Sequence, residues 1–298
     1  MLKAGLAIAL FLAGSAAFAV PGSGDEQEVL PSQADPAVAQ YDDPDVVIAD
    51  SGLPASAPLA IFLPGSGGKP ANTVGLLRVI AAQGFRVIGL EYDDTPAVVQ
   101  VCPRDPDPAC SARFREMRVS GTGAHAPISN PVAEAIVPRL VATLRYLDRK
   151  DPKAGWAGYL DEDQPRWDRI TVSGLSQGAG MAAFIAKQHR VHRVVLFSSP
   201  WDFTGADRRP APWLHAASAT PPERWQAEYN RRENTVALIV PAYAALGIPP
   251  ANIRVFDLDL PAGMPGNNPN PYHAITIRDQ RYAPQWRAMF GSGADSQP

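Results

Sequence analysis

The chain has 298 residues, 46% of them hydrophobic and 19% charged, with a formal net charge of -3. That is enough apolar material for the core of one large α/β domain, and it gives no electrostatic case for binding nucleic acid or an acidic polymer. Thirty-one prolines gather in connections and near the N-terminus, so long ordered loops are expected.

The first residues carry a targeting pattern. Lys3 is the positive n-region, Leu6 to Phe11 with the alanines beyond it a short apolar h-region, and Ala17-Phe18-Ala19 an A-x-A cleavage site. The apolar run is too short for a membrane span, and no cysteine stands at the cleavage point. The expected outcome is export to the periplasm or medium, with cleavage after Ala19 and no stable membrane anchor. Residues 20–44 are rich in Pro, Gln, Asp and Ser. They read as an extended, poorly packed N-terminal segment ahead of a single domain over 45–298.

Within that domain Asp45 to Asp50 reads as an early edge strand. Leu59 to Leu63 is an apolar strand that runs into Pro64-Gly65-Ser66-Gly67-Gly68. Thr73 to Gln83 follows as a helix and Phe85 to Leu90 as a second strand, a βαβ unit that implies parallel pairing. Tyr92 to Pro131 is a long connection. It holds Cys102 and Cys110, which in an exported protein read as a disulfide worth roughly 2.5 kcal/mol in the chain-entropy model. No histidine lies near them with metal-ligand spacing. Arg113, Arg115 and Arg118 in the same connection read as a solvated helix face, or else as a rim meeting an anionic substrate group. Val132 to Lys150 is helical by its Ile136, Leu140, Leu144, Leu147 stripe.

Ile170-Thr171-Val172-Ser173 leads into Gly174-Leu175-Ser176-Gln177-Gly178 and then a small-residue helix. Strand, G-x-S-x-G, helix is the context of a nucleophile elbow: a sharp turn lifts Ser176 above the sheet, and the helix N-terminus favours negative charge there. Val191 to Phe197 is the next strand. Residues 203–222, with four prolines and Trp213, read as a cap segment. Trp201, Trp213 and Trp156 are candidates for an acyl pocket or for plain packing. Arg224 to Tyr229 reads as a short strand, Glu233 to Leu246 as a helix, Ile253 to Leu260 as the last strand, and 284–290 as the closing helix.

A serine hydroxyl needs a neighbouring base, and the base an orienting acid. Of five histidines only His273 follows the last strand. His125 precedes the serine, His189 and His192 sit at the end of the elbow helix, and His215 lies in the Pro-rich segment. Glu233 follows the strand at 224–229 and is favoured as the acid. Asp202, after the preceding strand, is the alternative. Glu223, Glu228, Asp257 and Asp259 are less well placed. Two backbone N–H groups should bind an oxyanion, one from Gln177 and one from the glycine loop at Ser66. That loop lacks the spacing of a phosphate- or dinucleotide-binding fingerprint, so no cofactor or metal is expected.

These residues resemble the α/β-hydrolase superfamily. Pro64-Gly65-Ser66-Gly67-Gly68 looks like its His-Gly-x-Gly-Gly oxyanion loop with proline at the histidine place, and Gly174 to Gly178 like its elbow. Over roughly residues 55–290 the chain also resembles the BPSS1187-type group of exported bacterial hydrolases. That likeness rests on the Cys102/Cys110 loop followed by Arg113, on Gly-Leu-Ser-Gln-Gly-Ala, and on Pro212-Trp213-Leu214 before Thr220-Pro221. In that group an aspartate preceded by a histidine stands where Glu233 stands, and Asn230-Arg231-Arg232-Glu233 departs from it. The resemblance implies an α/β-hydrolase fold, with a mostly parallel central sheet flanked by helices. It also implies a serine hydrolase that cleaves a small-molecule carboxylic ester through an acyl-enzyme. A non-catalytic binding protein and an acyltransferase on the same scaffold are the alternatives.

Overall fold

The computed structural model describes residues 24–263 and 269–293. The expected leader and its cleavage site lie outside the described residues. One sheet contains β1 (Asp25–Val29), β2 (Asp45–Ala49), β3 (Leu59–Leu63), β4 (Arg86–Gly89), β5 (Ile170–Leu175), β6 (Arg193–Phe197), β7 (Trp225–Asn230) and β8 (Ile253–Phe256). Their spatial order is β1-β2-β4-β3-β5-β6-β7-β8. The β1/β2 and β2/β4 pairings are antiparallel, and every other pairing is parallel.

Side chains alternate between the two faces. In β3, Leu59, Ile61 and Leu63 enter one core while Ala60 and Phe62 enter the other. Helices α1 (Val74–Ala81) and α6 (Ala283–Phe290) close the second face. The first is closed by α2 (Cys110–Ser120), α3 (Ile136–Lys150), α4 (Gln177–Gln188) and α5 (Val236–Leu246). With both faces covered, the central strands read as continuous apolar runs, and each fully buried Leu, Ile or Phe in them contributes roughly 1.5–3 kcal/mol. The result is a mostly parallel sheet with helices on both sides, the arrangement that the resemblance implies. Cys102 and Cys110 are disulfide-bonded where a short helix (Val98–Val101) approaches α2.

Four expectations change. Residues 25–29 are not a loose extension but the edge strand β1, registered residue for residue on β2, so β2 is internal. Two of the three arginines of α2 are not a solvated face, while Arg113 stays half-exposed beside Asp107. Arg115 and Arg118 are almost fully buried, Arg115 against Asp202 and Arg118 against Asp93 and Asn130. The last strand stops at Phe256, because Arg232 binds the Asp257 carboxylate and backbone carbonyl and pulls the chain off the sheet. The helix expected from Glu233 begins only at Val236; Glu233 instead folds back onto the Asn230 N–H.

Asp45, at the start of β2, has no exposed surface. Its carboxylate accepts from the Glu91 N–H at 2.7 Å and from the Thr143 hydroxyl at 2.8 Å. Burial pushes this carboxyl up to about 7, against the lowering pull of those hydrogen bonds. The native state therefore keeps a proton that the unfolded chain releases. Stability contributed below about pH 4 is lost as the pH climbs through about 7. Glu91, pushed up to about 7 by burial despite Lys69 beside it, adds in the same direction. Asp45→Asn is expected to make the fall in unfolding temperature between about pH 4 and pH 8 shallower; an unchanged slope in a pH series of thermal melts would contradict this.

Candidate active site

The turn between β5 and α4 is one residue long. Ser176 fills it with φ 54° and ψ -118°, a backbone conformation that costs a non-glycine residue roughly 1–3 kcal/mol. Neighbouring structure enforces it. The Ser176 N–H donates to Phe197 O at 3.0 Å, and the Gly180 N–H donates to Ser176 O at 3.1 Å. A Cβ on Gly178 would lie 2.0 Å from Leu63 O, and one on Gly174 would lie 2.5 Å from the Gly178 carbonyl carbon. The flanking glycines are thus required by close backbone approach.

The loop after β3 runs beside this turn. A Cβ on Gly65 would stand 3.1 Å from Ser176 Cβ. Three bonds hold the loop: Gly68 N–H to Gly65 O at 2.7 Å, Gly67 N–H to Asp94 Oδ1 at 3.1 Å, and Tyr92 Oη–H to Pro64 O at 2.9 Å. Among the described residues the Ser66 and Gln177 N–H groups have no acceptor. They flank Ser176 at the positive end of the α4 dipole, where negative charge is favoured.

Glu233, just past β7, meets His273, which lies in a short helical turn over Pro271–Ile275. Glu233 Oε2 lies 2.7 Å from His273 Nδ1, and the Glu233 side chain has no exposed surface. The carboxylate also accepts from Ser198 Oγ–H at 2.9 Å, the Asn230 N–H at 3.0 Å and Thr235 Oγ1–H at 3.1 Å. Four hydrogen-bonding groups thus converge on this carboxylate. An anionic acceptor at Nδ1 requires the imidazole proton on that nitrogen, which leaves Nε2 as a lone pair. The two segments are also tied to each other. Asn234 Nδ2 donates to Pro269 O at 2.8 Å, and the Asn234 N–H donates to Asn270 Oδ1 at 3.1 Å.

Asp202 is elsewhere engaged. Its oxygens receive Arg115 Nε at 2.7 Å, Arg115 Nη2 at 2.5 Å and Trp213 Nε1 at 2.9 Å. The Arg115 guanidinium occupies the space a Cβ at Gly180 would need. Of the remaining histidines, His189 stacks on Trp167 with ring centres 5.4 Å apart. Desolvation lowers both His189 and His192, the latter to about 4, so they are neutral imidazoles rather than charges completing a helix dipole.

Ser198, Asn230 and Asn234 were not legible as site residues. The one available clue was that all three sit at or just past the C-terminal ends of parallel strands, where functional groups collect in open α/β sheets. Beneath Glu233 lies a second carboxyl, Glu228, fully buried on β7 with Ser198 Oγ 3.4 Å away. Burial pushes Glu228 well up, reinforced by the neighbouring Glu233 carboxylate, which favours its neutral form.

Ser176 stands between two hollows. The larger, about 190 Å³, is lined by Ser66, Lys69, Asn72, Ser176, His273 and Arg278 among others. The smaller, about 20 Å³, lies on the other side of the serine among Val98, Val99, Gln177 and Trp201. Residues 203–222 line neither hollow. They pack on α4, with the Trp213 ring 5.4 Å from that of Phe184. Trp156 packs on Tyr159 and Arg86, away from the serine.

No protein-family model and no curated protein matches the chain. Among solved structures it is similar to a thermophilic, thermostable carboxylesterase from a metagenomic library, at 14% identity over 93% of this chain and 91% of the other, TM-score 0.48. It is also similar to a hormone-sensitive lipase from a metagenome library, at 14% identity over 89% and 84%, TM-score 0.41.

Proposed function

We propose that the protein is an exported serine hydrolase that cleaves carboxylic esters through an acyl-enzyme, with Ser176 as nucleophile, His273 as base and Glu233 as orienting acid. The observation that carries this reading is the 2.7 Å contact between the buried Glu233 carboxylate and His273 Nδ1, with His273 lining the same cleft as Ser176.

Ser176 Oγ attacks the ester carbonyl carbon while its proton passes to His273 Nε2. The carbonyl π electrons move to oxygen, and the N–H groups of Ser66 and Gln177 receive that charge. Glu233 stabilises the imidazolium without itself taking the proton. Collapse of the tetrahedral adduct breaks the bond to the alcohol oxygen, which leaves with the proton from Nε2. Water then repeats the sequence on the acyl-serine and releases the acid. No helix among the described residues is long and apolar enough to cross a membrane.

The test is labelling with a fluorophosphonate probe followed by peptide mapping. The adduct is expected on Ser176 and absent from Ser176→Ala. An unlabelled wild-type protein, or an adduct that persists in the variant, would refute the mechanism.

A further inference from the structure

We infer that the enzyme is specific for esters of short, uncharged acyl groups, with acetyl the best fit, and that Trp201 and Val99 set this limit. The inference rests on the serine-hydrolase reading above and concerns how the substrate is divided across Ser176.

The division follows from proton bookkeeping. The alcohol must leave beside the imidazole that protonates it. His273 lines the 190 Å³ cleft and not the recess, so the alcohol occupies the cleft. The oxyanion donors straddle the serine, Ser66 on the cleft side and Gln177 on the recess side. A carbonyl oxygen held between them directs the acyl chain away from the alcohol, into the recess.

The recess offers about 20 Å³ against about 190 Å³ for the cleft in the same measure, so it is much the tighter of the two. That favours a methyl over a long chain. Its walls are set by the fold. Val98 is buried on the short helix behind the disulfide, and Ala97 and Val99 flank it. Trp201 packs against the main core from the opposite side. The two charged residues at its end, Arg115 and Asp202, are bonded to each other through two hydrogen bonds and present no free charge. A charged acyl group would lose its hydration there with nothing in return.

The experiment measures kcat/KM for p-nitrophenyl acetate, butyrate and octanoate with the wild-type protein, Trp201→Ala and Val99→Ala. Wild-type kcat/KM is expected to fall at least about tenfold from acetate to octanoate. Either variant should raise the octanoate-to-acetate ratio about tenfold or more; Val99→Ala, at a half-buried site, guards against misfolding of the tryptophan variant. Ser176-dependent turnover that stays level or rises with chain length overturns the acyl-length inference and leaves the hydrolase reading standing. So does an unchanged ratio in both folded variants. Absence of Ser176-dependent turnover on all three esters removes the hydrolase reading, and this inference with it.

Discussion

Glu233→Gln is expected to lower kcat on p-nitrophenyl acetate about 10⁴-fold with the fold intact, by analogy with the loss when a triad carboxylate becomes an amide. The reason lies in the donors around the carboxylate. The Asn230 N–H at 3.0 Å is fixed by the backbone and must keep an acceptor. The glutamine oxygen stays with it and turns the amide nitrogen toward His273. Nδ1 is then an acceptor, the ring proton moves to Nε2, and the base has no lone pair to offer Ser176. Asp202→Asn provides the contrast, since that side chain meets Arg115 and Trp213 rather than His273. Steady-state kinetics decides the matter. Turnover of Glu233→Gln within about tenfold of wild type would exclude Glu233 as the orienting acid.

Asp202→Ala is expected to destabilise the protein by about 3–5 kcal/mol, the usual cost of stranding one member of a buried ion pair. Arg115 has a side-chain exposure of 1%, and Asp202 accepts two of its hydrogen bonds. With Asp202 removed the guanidinium keeps a long hydrogen bond to Gln177 O at 3.4 Å and its place over the Trp213 ring, and Trp213 Nε1 loses its acceptor as well. For a domain of this size the loss corresponds to roughly 10 °C in unfolding temperature. Joint replacement of Arg115 by Met and Asp202 by Leu should recover most of it, because a matched apolar pair has no charge left to desolvate. A single variant that unfolds within about 1 kcal/mol of wild type in denaturant titration would show the pair to be dispensable.

The central strands and the elbow were legible because their residues obey local rules. Leu59 to Leu63 and Ile170 to Leu175 are apolar runs bounded by glycine turns, and Ser176 sits between two glycines that only a tight turn requires. β1 escaped notice for the opposite reason. Asp25, Glu26, Gln27 and Glu28 are all exposed, and only pairing with β2 makes them a strand. The same limit applied to the acid. Glu233 and Asp202 both follow parallel strands, and what separates them is Arg115, 87 positions from Asp202. Nothing within α2 marks Arg115 as inward-facing. Its helix intersperses Phe114, Met117 and Val119 with arginines and shows no clean apolar stripe, and the direction of Arg115 is decided by a carboxylate contributed from another part of the chain. Glu228 was obscured by β7 itself, where Trp225-Gln226-Ala227-Glu228-Tyr229-Asn230 alternates as a half-exposed strand would, yet packing covers both sides.

Asn234 has a mechanical consequence. Its two bonds to Pro269 and Asn270 clamp the His273 segment to the turn that carries Glu233, so Glu233 and His273 move as one body. Ser198, the residue after β6, ties that body to the sheet through its 2.9 Å bond to Glu233, and the residue before it, Phe197, receives the Ser176 N–H. The end of β6 is thus the common anchor that sets the spacing between Ser176 and the Glu233–His273 pair.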